Sequence, residues 1–311
     1  MKKSSRRAFL RTLGTATAAA VYMKSAWGDK PVTIQPARSK LRFVFYTDIH
    51  TRLEWNTPLA LEMAAEKINQ CRPDLVIAGG DLITDGFQSS ASTVEPRWGA
   101  YMKMHQAIRA PVHAVIGNHD LVAAIPEDGS PPSPDPKRIF LEKFGLSQTY
   151  RSFAAAGYHF ILLDSIIVTG GEEKYHGMIH GEQMEWLKQD LSRISASTPV
   201  IVVTHMPLMT GFYQATRGAT TPAPANRVVQ NNREVLDLFQ NHNLILVLQG
   251  HLHVDEMLRW RKTTFITGGA ICGKWWRGPW FGTEEGFGQI EVEDNFIDWK
   301  YVDYGWEAQR S

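Results

Sequence analysis

The stretch LRFVFYTDIH, residues 41–50, joins a predicted β-strand to two polar side chains that can bind a metal ion. The β-branched and aromatic residues at 41–46 favour a strand. Asp48 and His50 follow it directly. Because alternate residues of an extended strand share a face, we expect both side chains to point to the same side. One metal ion could bind both.

Four more short motifs repeat this arrangement further along the chain. The predicted strands are residues 41–46, 75–78, 112–116, 160–163, 200–203 and 244–248. The segments of helical period between them are residues 59–71, 99–109, 182–194 and 233–241. This alternation predicts an α/β architecture. The motifs at the strand ends are Gly80-Asp81, Gly117-Asn118-His119-Asp120, His205, and Gly250-His251-Leu252-His253.

The five motifs together predict one catalytic metal site. Ligands of open α/β sheets bind beyond the carboxyl ends of the strands, so the five strand ends are expected to converge. Imidazole nitrogen and carboxylate oxygen suit Zn, Mn or Fe, and no cysteine lies near the motifs as a structural zinc site would require. Taken singly, each motif has a structural alternative: a helix or turn cap for Asp48 or Asp81, a turn residue for Asn118, or a core histidine for His205.

In this order the motifs resemble the calcineurin-like metallophosphoesterase family over about residues 42–253. The family signature is Asp-x-His, Gly-Asp, Gly-Asn-His-Asp/Glu, a lone His and Gly-His-x-His, and it is matched without a gap. The resemblance implies a four-layer α/β/β/α sandwich with two mixed β-sheets. It also implies two metal ions, of Mn, Fe or Zn, between the strand ends.

The resemblance further implies a role for each motif residue. The first metal would be bound by Asp48, His50 and His253, and the second by Asn118, His205 and His251. Asp81 would bridge the two metals. His119 would lie near the leaving group as a catalytic residue, and Asp120 would orient a neighbouring histidine or cap the following segment.

The expected chemistry is hydrolysis of a small phosphodiester or phosphomonoester by metal-activated hydroxide. Thr84 stands where the purple acid phosphatases carry an iron-binding tyrosine, which disfavours that branch. The run from Asp81 to Gly86 looks more like the cyclic-nucleotide phosphodiesterase-like branch. Two alternatives stay open: a metal-dependent phosphoester-binding protein without turnover, and a cell-surface adhesion module.

The N-terminal 28 residues predict an export signal. Basic residues precede a weakly apolar stretch, and the run around Arg6-Arg7 resembles a twin-arginine signal. We therefore expect the twin-arginine machinery to deliver a folded protein to the periplasm or the exterior. A metallophosphoesterase domain would follow at 29–311, with core motifs at 41–253 and a sheet-completing segment at 254–311. No later segment has the ~18 apolar residues of a membrane span.

The charge balance of the mature chain argues against a nucleic-acid-coating role. Of 33 Lys and Arg residues, six lie in residues 1–28, where none of the 32 Asp and Glu residues lies, which leaves 27 basic against 32 acidic residues. Clustered basic runs would be expected on a nucleic-acid-binding surface. The two cysteines, Cys71 and Cys272, exclude a disulfide framework and leave a single bridge between them open; we expect two buried free thiols.

An aromatic segment at 268–287 offers candidate substrate contacts. Trp275 and Trp276, together with Tyr213 in the polar stretch 208–227, would form a wall against the organic part of a substrate. The alternative is a hydrophobic cap over a sheet. Glu284 and Glu285 in the same segment would discourage a strongly anionic leaving group. The second long polar stretch, 125–137, has the length of a functional loop or a disordered one.

Overall fold

A computed structural model describes residues 40–170 and 172–309 of the chain. The predicted export signal at 1–28 lies outside the described residues. The strands are β1 (Leu41–Tyr46), β2 (Leu75–Ala78), β3 (Val112–Ala114), β4 (Arg151–Ala155), β5 (Tyr158–Leu163), β6 (Ile166–Val168), β7 (Tyr175–Gly177), β8 (Pro199–Thr204), β9 (Asn243–Gln249), β10 (Glu256–Trp260), β11 (Thr263–Thr267), β12 (Gly286–Glu293) and β13 (Phe296–Asp303). The helices are α1 (Thr57–Gln70), α2 (Ala91–Ala107), α3 (Arg138–Phe144), α4 (Gly181–Ser192), α5 (Phe212–Arg217) and α6 (Asn232–Asp237), with a 3₁₀ turn at Asn118–Asp120.

Within the described part of the chain, two mixed sheets carry the fold. The first has the order β13-β12-β1-β2-β3, in which β1, β2 and β3 are parallel and β12 and β13 are antiparallel to their neighbours. The second has the order β10-β11-β9-β8-β5-β4, with antiparallel strands only at its edges. The predicted sandwich of two mixed sheets is confirmed.

The apolar core between the sheets follows from strand alternation. Phe43 and Phe45 of β1 point inward and meet the second sheet, where the Phe43 ring packs edge-to-face on Phe160 at 5.6 Å. Val44 and Tyr46 point outward into a second apolar cluster, which contains the buried faces of helices α1 and α2. The period of two along β1 therefore divides the core into an inter-sheet layer and outer helical layers.

The largest departures from the predicted elements lie outside the motif-bearing strands. Segment 254–311 supplies strands to both sheets, because β10 and β11 extend the second sheet while β12 and β13 extend the first. The predicted helix at 99–109 begins earlier, at Ala91, and contains Pro96. Val94 and Trp98 are fully buried on that earlier part, so tertiary packing outweighs the helix-breaking effect of Pro96. None of the helices among the described residues has the length and hydropathy that a membrane crossing requires.

Candidate metal centre

The backbone that carries the ligands bends sharply after each strand. The Asp48 amide donates to the Gly80 carbonyl at 3.0 Å and the His50 amide to the Asp81 carbonyl at 2.9 Å, so the loops beyond β1 and β2 are tied together. Asp48 and His50 have φ of 51° and 46°, in the left-handed region. The expectation that an extended strand aligns their side chains is therefore wrong. Their side chains still converge, with His50 Nε2 3.9 Å from Asp48 Oδ1.

The left-handed conformation recurs at three other predicted ligands. Asp81, His251 and His253 have φ of 52°, 72° and 59°. This conformation costs a non-glycine residue roughly 1–2 kcal/mol, so the surrounding contacts must hold it in place. Strained backbone at this many residues of one buried cluster points to a functional site.

Two glycines let the loops approach one another closely. A Cβ on Gly117 would lie 2.2 Å from Asp81 Oδ1, and a Cβ on Gly250 would lie 2.2 Å from the Thr47 hydroxyl. Any larger residue would displace the loops that carry Asp81 and Asp48. These two positions therefore require glycine because a side chain there would collide with the neighbouring loop.

The first group of side chains forms around Asp48. His253 Nε2 lies 3.3 Å from Asp48 Oδ1 and 3.1 Å from His50 Nε2. The other carboxylate oxygen of Asp48 accepts from the Thr47 hydroxyl at 2.6 Å and the His251 amide at 2.9 Å. These hydrogen bonds fix the carboxylate and leave Oδ1 facing the two imidazoles.

The second group forms around Asp81. His205 Nε2 lies 3.2 Å from Asp81 Oδ2 and 3.2 Å from His251 Nδ1. The same carboxylate oxygen lies 3.6 Å from His50 Nε2 in the first group. Asp81 is therefore the side chain that stands between the two groups, as a bridging ligand must.

The donor atoms fit a pair of metal ions. Asp48 Oδ1 and Asn118 Oδ1 are buried and accept no well-directed hydrogen bond among the described residues. The Asn118 amide nitrogen donates to the Tyr175 hydroxyl at 3.2 Å, which fixes the side chain and leaves its oxygen as the atom without a donor. Buried oxygens without a donor are costly unless a cation occupies the space they face. All seven predicted ligands are at most 5% exposed.

The ionisation of the cluster reflects its buried, mixed charges. Although burial alone would lower the pKa of His205, the Asp81 and Asp48 carboxylates raise it to about 9. Burial, helped by His205 and Arg227, lowers the pKa of His251 to about 3. Metal ligands must be deprotonated, so metal binding is expected to displace protons from this cluster.

The family model for calcineurin-like phosphoesterases matches residues 41–255, the range that contains all five motifs. The chain belongs to the calcineurin-like phosphoesterase family. Members of this family bind two metal ions, and clusters of possible ligands here include Asp81, His205 and His251.

Similar proteins include two branches of the calcineurin-like phosphoesterase family. Purple acid phosphatase 15 of Arabidopsis thaliana is 26% identical over 59% of this chain and 36% of its own length. A probable cyclic nucleotide phosphodiesterase of Synechococcus is 26% identical over 64% of this chain and 65% of its own length. The chain thus spans less than two thirds of either relative. A dimetal phosphatase structure from Danio rerio matches with a TM-score of 0.61 at 16% identity, over 84% of this chain and 95% of that chain.

His119 lies at the open side of the site. Its ring meets that of His50 edge-to-face at 4.6 Å, and its amide donates to Asp81 Oδ1 at 2.8 Å. The Asp85 amide donates to His119 Nδ1 at 3.2 Å. Because Nδ1 accepts this bond, the neutral ring carries its proton on Nε2, where it is available to a leaving group.

Among the described residues, Asp120 forms hydrogen bonds with backbone amides and with no histidine. Its carboxylate accepts from the amides of Leu82 at 2.7 Å and Gly117 at 2.8 Å. Burial and the nearby Asp81 charge raise its pKa to about 8. Asp120 thus ties its own turn to the loop beyond Asp81, and these two amides precede it in sequence, whereas the expected cap was for the following segment.

Two residues beside the second group were not among the predicted site residues. Tyr175 positions the Asn118 amide, and burial raises the pKa of its hydroxyl to about 12. Arg227 Nη1 lies 3.5 Å from His251 Nε2, which also faces the Asn226 carbonyl at 3.0 Å. Neither residue stands next to a motif in sequence. For Tyr175, its place before the fourth motif-bearing strand suggested either the rim of the site or a surface turn. For Arg227, the signal was the unusual length of the 208–227 stretch, which ends there.

The three aromatic candidates occupy different environments. The half-buried Trp275 ring lies 4.5 Å from the ring of His253. Trp276 is fully buried and donates from Nε1 to the His50 carbonyl at 3.0 Å, so it supports a ligand loop instead of facing a substrate. Tyr213 is buried with Leu252 and Val254 in a small apolar cluster. Of the three, Trp275 has the placement of a substrate contact.

The two cysteines are free thiols, as expected, but they differ in burial. Cys71 is half-buried, and Cys272 is fully buried. The Cys272 sulfur lies 3.8 Å from His253 Nδ1, which also faces the Gly273 carbonyl at 2.6 Å. The loop at 272–273 therefore fixes the orientation of the His253 ring.

Proposed function

We propose that this chain is an exported two-metal hydrolase that cleaves a small phosphodiester or phosphomonoester. The observation that carries the proposal is the pair of buried ligand groups on either side of Asp81, together with the buried oxygens of Asp48 and Asn118 that accept no hydrogen bond within the described part of the chain. Membership of a phosphoesterase family supports the same reaction.

In this proposal each ligand keeps the role that the family resemblance implies. Asp48, His50 and His253 would hold the first metal, Asn118, His205 and His251 would hold the second, and Asp81 would be shared. Two bound divalent metals would supply a water of lowered pKa and stabilise charge on the phosphoryl oxygens. Mn, Fe and Zn all suit these nitrogen and oxygen donors.

The chain itself supplies the acid and the orientation. His119 Nε2 carries the proton that the departing oxygen receives, because its Nδ1 accepts from Asp85. The Tyr175 hydroxyl and the Gly79 carbonyl hold Asn118 and His205 in their rotamers, at 3.2 Å and 2.9 Å respectively. Arg227, beside His251, provides a cation for a non-reacting phosphoryl oxygen.

The export part of the proposal depends on the sequence of residues 1–28 alone. A chain with Arg6 and Arg7 replaced by lysine should remain in the cytoplasm, while the original chain is recovered outside it. Equal distribution of both chains on cell fractionation would refute the twin-arginine route.

The activity is tested with purified chain reloaded with Mn, Fe or Zn. We expect hydrolysis of para-nitrophenyl phosphate or bis(para-nitrophenyl) phosphate, and loss of hydrolysis in Asn118→Ala. Elemental analysis should show close to two metals per chain. Metal-replete protein that retains a phosphoester without cleaving it would favour the binding-protein alternative. Fewer than one metal per chain after native export would favour the adhesion module.

A further inference from the structure

A cavity of about 270 Å³ lies beside the metal centre and is lined by cationic and aromatic side chains. Its cations are Arg52, Lys274 and Arg277, and its aromatic walls are Trp55 and Trp275. The volume is slightly below the ~300–1,000 Å³ usual for a whole small-molecule ligand. A space of this size suits one end of a substrate.

The charge of the cavity is positive. Its remaining lining residues, Thr84 and Asp85, bring one carboxylate against the three cations, and Arg97 lies 3.9 Å from that carboxylate. Lys274 and Arg277 are exposed, whereas Arg52 is half-buried and its Nε makes no hydrogen bond among the described residues. The Arg52 guanidinium lies over the Trp55 ring at 4.2 Å, and its buried Nε has no acceptor in this part of the chain. Beside two exposed cations, this nitrogen is suited to an anion.

The position of the cavity relates it to the departing group. Trp275 lies between the cavity and the first ligand group, with its ring 4.5 Å from His253 and 5.6 Å from His50. Asp85, which also lines the cavity, donates its amide to His119 Nδ1 at 3.2 Å. The cavity is therefore on the side of the site where His119 would meet the leaving group.

Glu284 and Glu285, which were expected to discourage a strongly anionic leaving group, are not among the residues that line the cavity. Glu285 is 3% exposed. Its carboxyl group packs against Gly273, and burial raises its pKa, which favours the neutral form. The acidic residues of the 268–287 segment therefore leave the cationic lining intact.

We propose that this basic pocket, defined by Arg52, Lys274, Arg277 and the two tryptophans, binds a second phosphate group carried by the leaving group. The preferred substrate is then an organic bisphosphate or a phosphodiester with a phosphorylated leaving group. Water forms the new P–O bond, and the bond to the leaving oxygen breaks. That oxygen keeps the electron pair and takes the proton from His119, which a proton of the water replaces. This inference rests on the proposed hydrolysis.

The activity test uses matched substrates and the metal-loaded full chain. Alkanediol bisphosphates of increasing chain length are compared with the monophosphate of the same diol, by phosphate release. We expect a higher kcat/KM for bisphosphates, by roughly tenfold for a charge-assisted contact. The double variant Lys274→Gln/Arg277→Gln should lose that preference. The control, Lys188→Gln/Arg259→Gln, removes exposed cations outside the pocket and should keep it.

A binding test separates the pocket from the catalytic proposal. Inorganic phosphate is titrated into metal-free protein, and the tryptophan fluorescence is followed because Trp55 and Trp275 line the pocket. Saturable quenching that weakens in Lys274→Gln/Arg277→Gln supports the pocket even if no phosphoester is cleaved. Hydrolysis of monophosphates with no bisphosphate preference, and no variant-sensitive phosphate binding, overturns the pocket while the hydrolase proposal stands.

Discussion

The inter-sheet core and the metal centre are both buried, but they differ in backbone conformation and in the polarity of their side chains. Phe43 in the core sits on an extended strand among apolar neighbours, and only a few residues later Asp48 has a left-handed backbone and an unpartnered carboxylate oxygen. One strand, β1, thus leads from the region that stabilises the fold to a region that the fold must hold under strain. Violations of local preference concentrate where function requires them.

The largest effect is expected when a charge is removed from the metal centre. Asp81→Asn deletes the shared carboxylate, and we expect activity to fall roughly a thousandfold or more, since losing only a supporting contact already costs about 10–100-fold. The metal-free protein should also lose about 1–3 kcal/mol of stability at pH 7, because His205, whose pKa Asp81 raises, keeps its buried charge without this carboxylate partner. Activity assays and urea denaturation of the same preparations measure both effects.

A larger loss of metal-free stability in Asp81→Asn would show that the centre also holds the fold together. The matched control is Asp298→Asn on β13, an acidic residue outside both ligand groups, which should change neither quantity.

The second substitution removes an apolar side chain from the inter-sheet core and tests its contribution to stability. Phe43→Ala removes a fully buried ring that packs on Phe160, and we expect a loss of about 3–5 kcal/mol in the free energy of unfolding. Activity per folded molecule should be retained. Leu53→Ala, at a side chain 49% exposed, is the control and should stay within about 0.5 kcal/mol. A mild effect of Phe43→Ala would mean that the sheets are not held by this layer.

A smaller effect is expected at Asp190, a buried carboxylate whose partners are hydrogen-bond donors of the protein and not a metal ion. Burial opposes ionisation of Asp190, yet hydrogen bonds from His159 at 2.7 Å and Ser152 at 2.6 Å keep its pKa below the ordinary 3.8. Its contribution is therefore complete above the unfolded-state pKa and is lost as the pH falls through the folded-state pKa. Asp190→Asn should lower stability at pH 7 by about 1–2 kcal/mol.

Urea midpoints at several pH values test this assignment. The original chain should lose stability more steeply than Asp190→Asn as the pH falls below about 4. Parallel acid profiles for the two proteins would contradict the assignment. Glu185→Gln, an exposed residue on the same helix, is the control.

The smallest expected effect comes from strain outside the metal centre. Ala156 and Gly157 join β4 to β5 with φ of 49° and 84°, the pattern of a two-residue turn that prefers Asn-Gly. Ala156→Asn should raise stability by about 0.5–1 kcal/mol without changing activity. Ala154→Asn, on the adjacent strand, should not raise the thermal unfolding temperature. An equal gain in stability in both variants would show that the turn position is not the cause.

Much of the fold and of the candidate site could be predicted because both depend on local patterns. The apolar run at 41–46 fixes β1, and the strand-end position of Asp48, Asp81 and His205 brings their side chains together. The paired grouping of His251 with His205, and of His253 with His50, came from the family resemblance; alternation alone would have put both on one metal.

The remaining features depend on contacts between distant segments. The left-handed φ values at Asp48 and His50 arise from backbone hydrogen bonds to the loop beyond β2, which no local propensity encodes. Tyr175 lies 57 residues from Asn118 in sequence. The basic pocket joins Arg52 to Lys274 and Arg277, which only the folded chain brings together.

The place of β1 in its sheet has a consequence for the order of events during synthesis. β1 carries the Asp48 loop, but its antiparallel neighbour is β12, whose paired residues follow 243 to 251 positions later in the chain. Until residues 286–293 have left the ribosome, one edge of β1 remains unpaired and available to other chains. The first part of the centre to be translated is thus among the last to be enclosed. Under the proposed export route, a chain released early would lack this strand pairing, which gives the cell a physical distinction between finished and unfinished cargo.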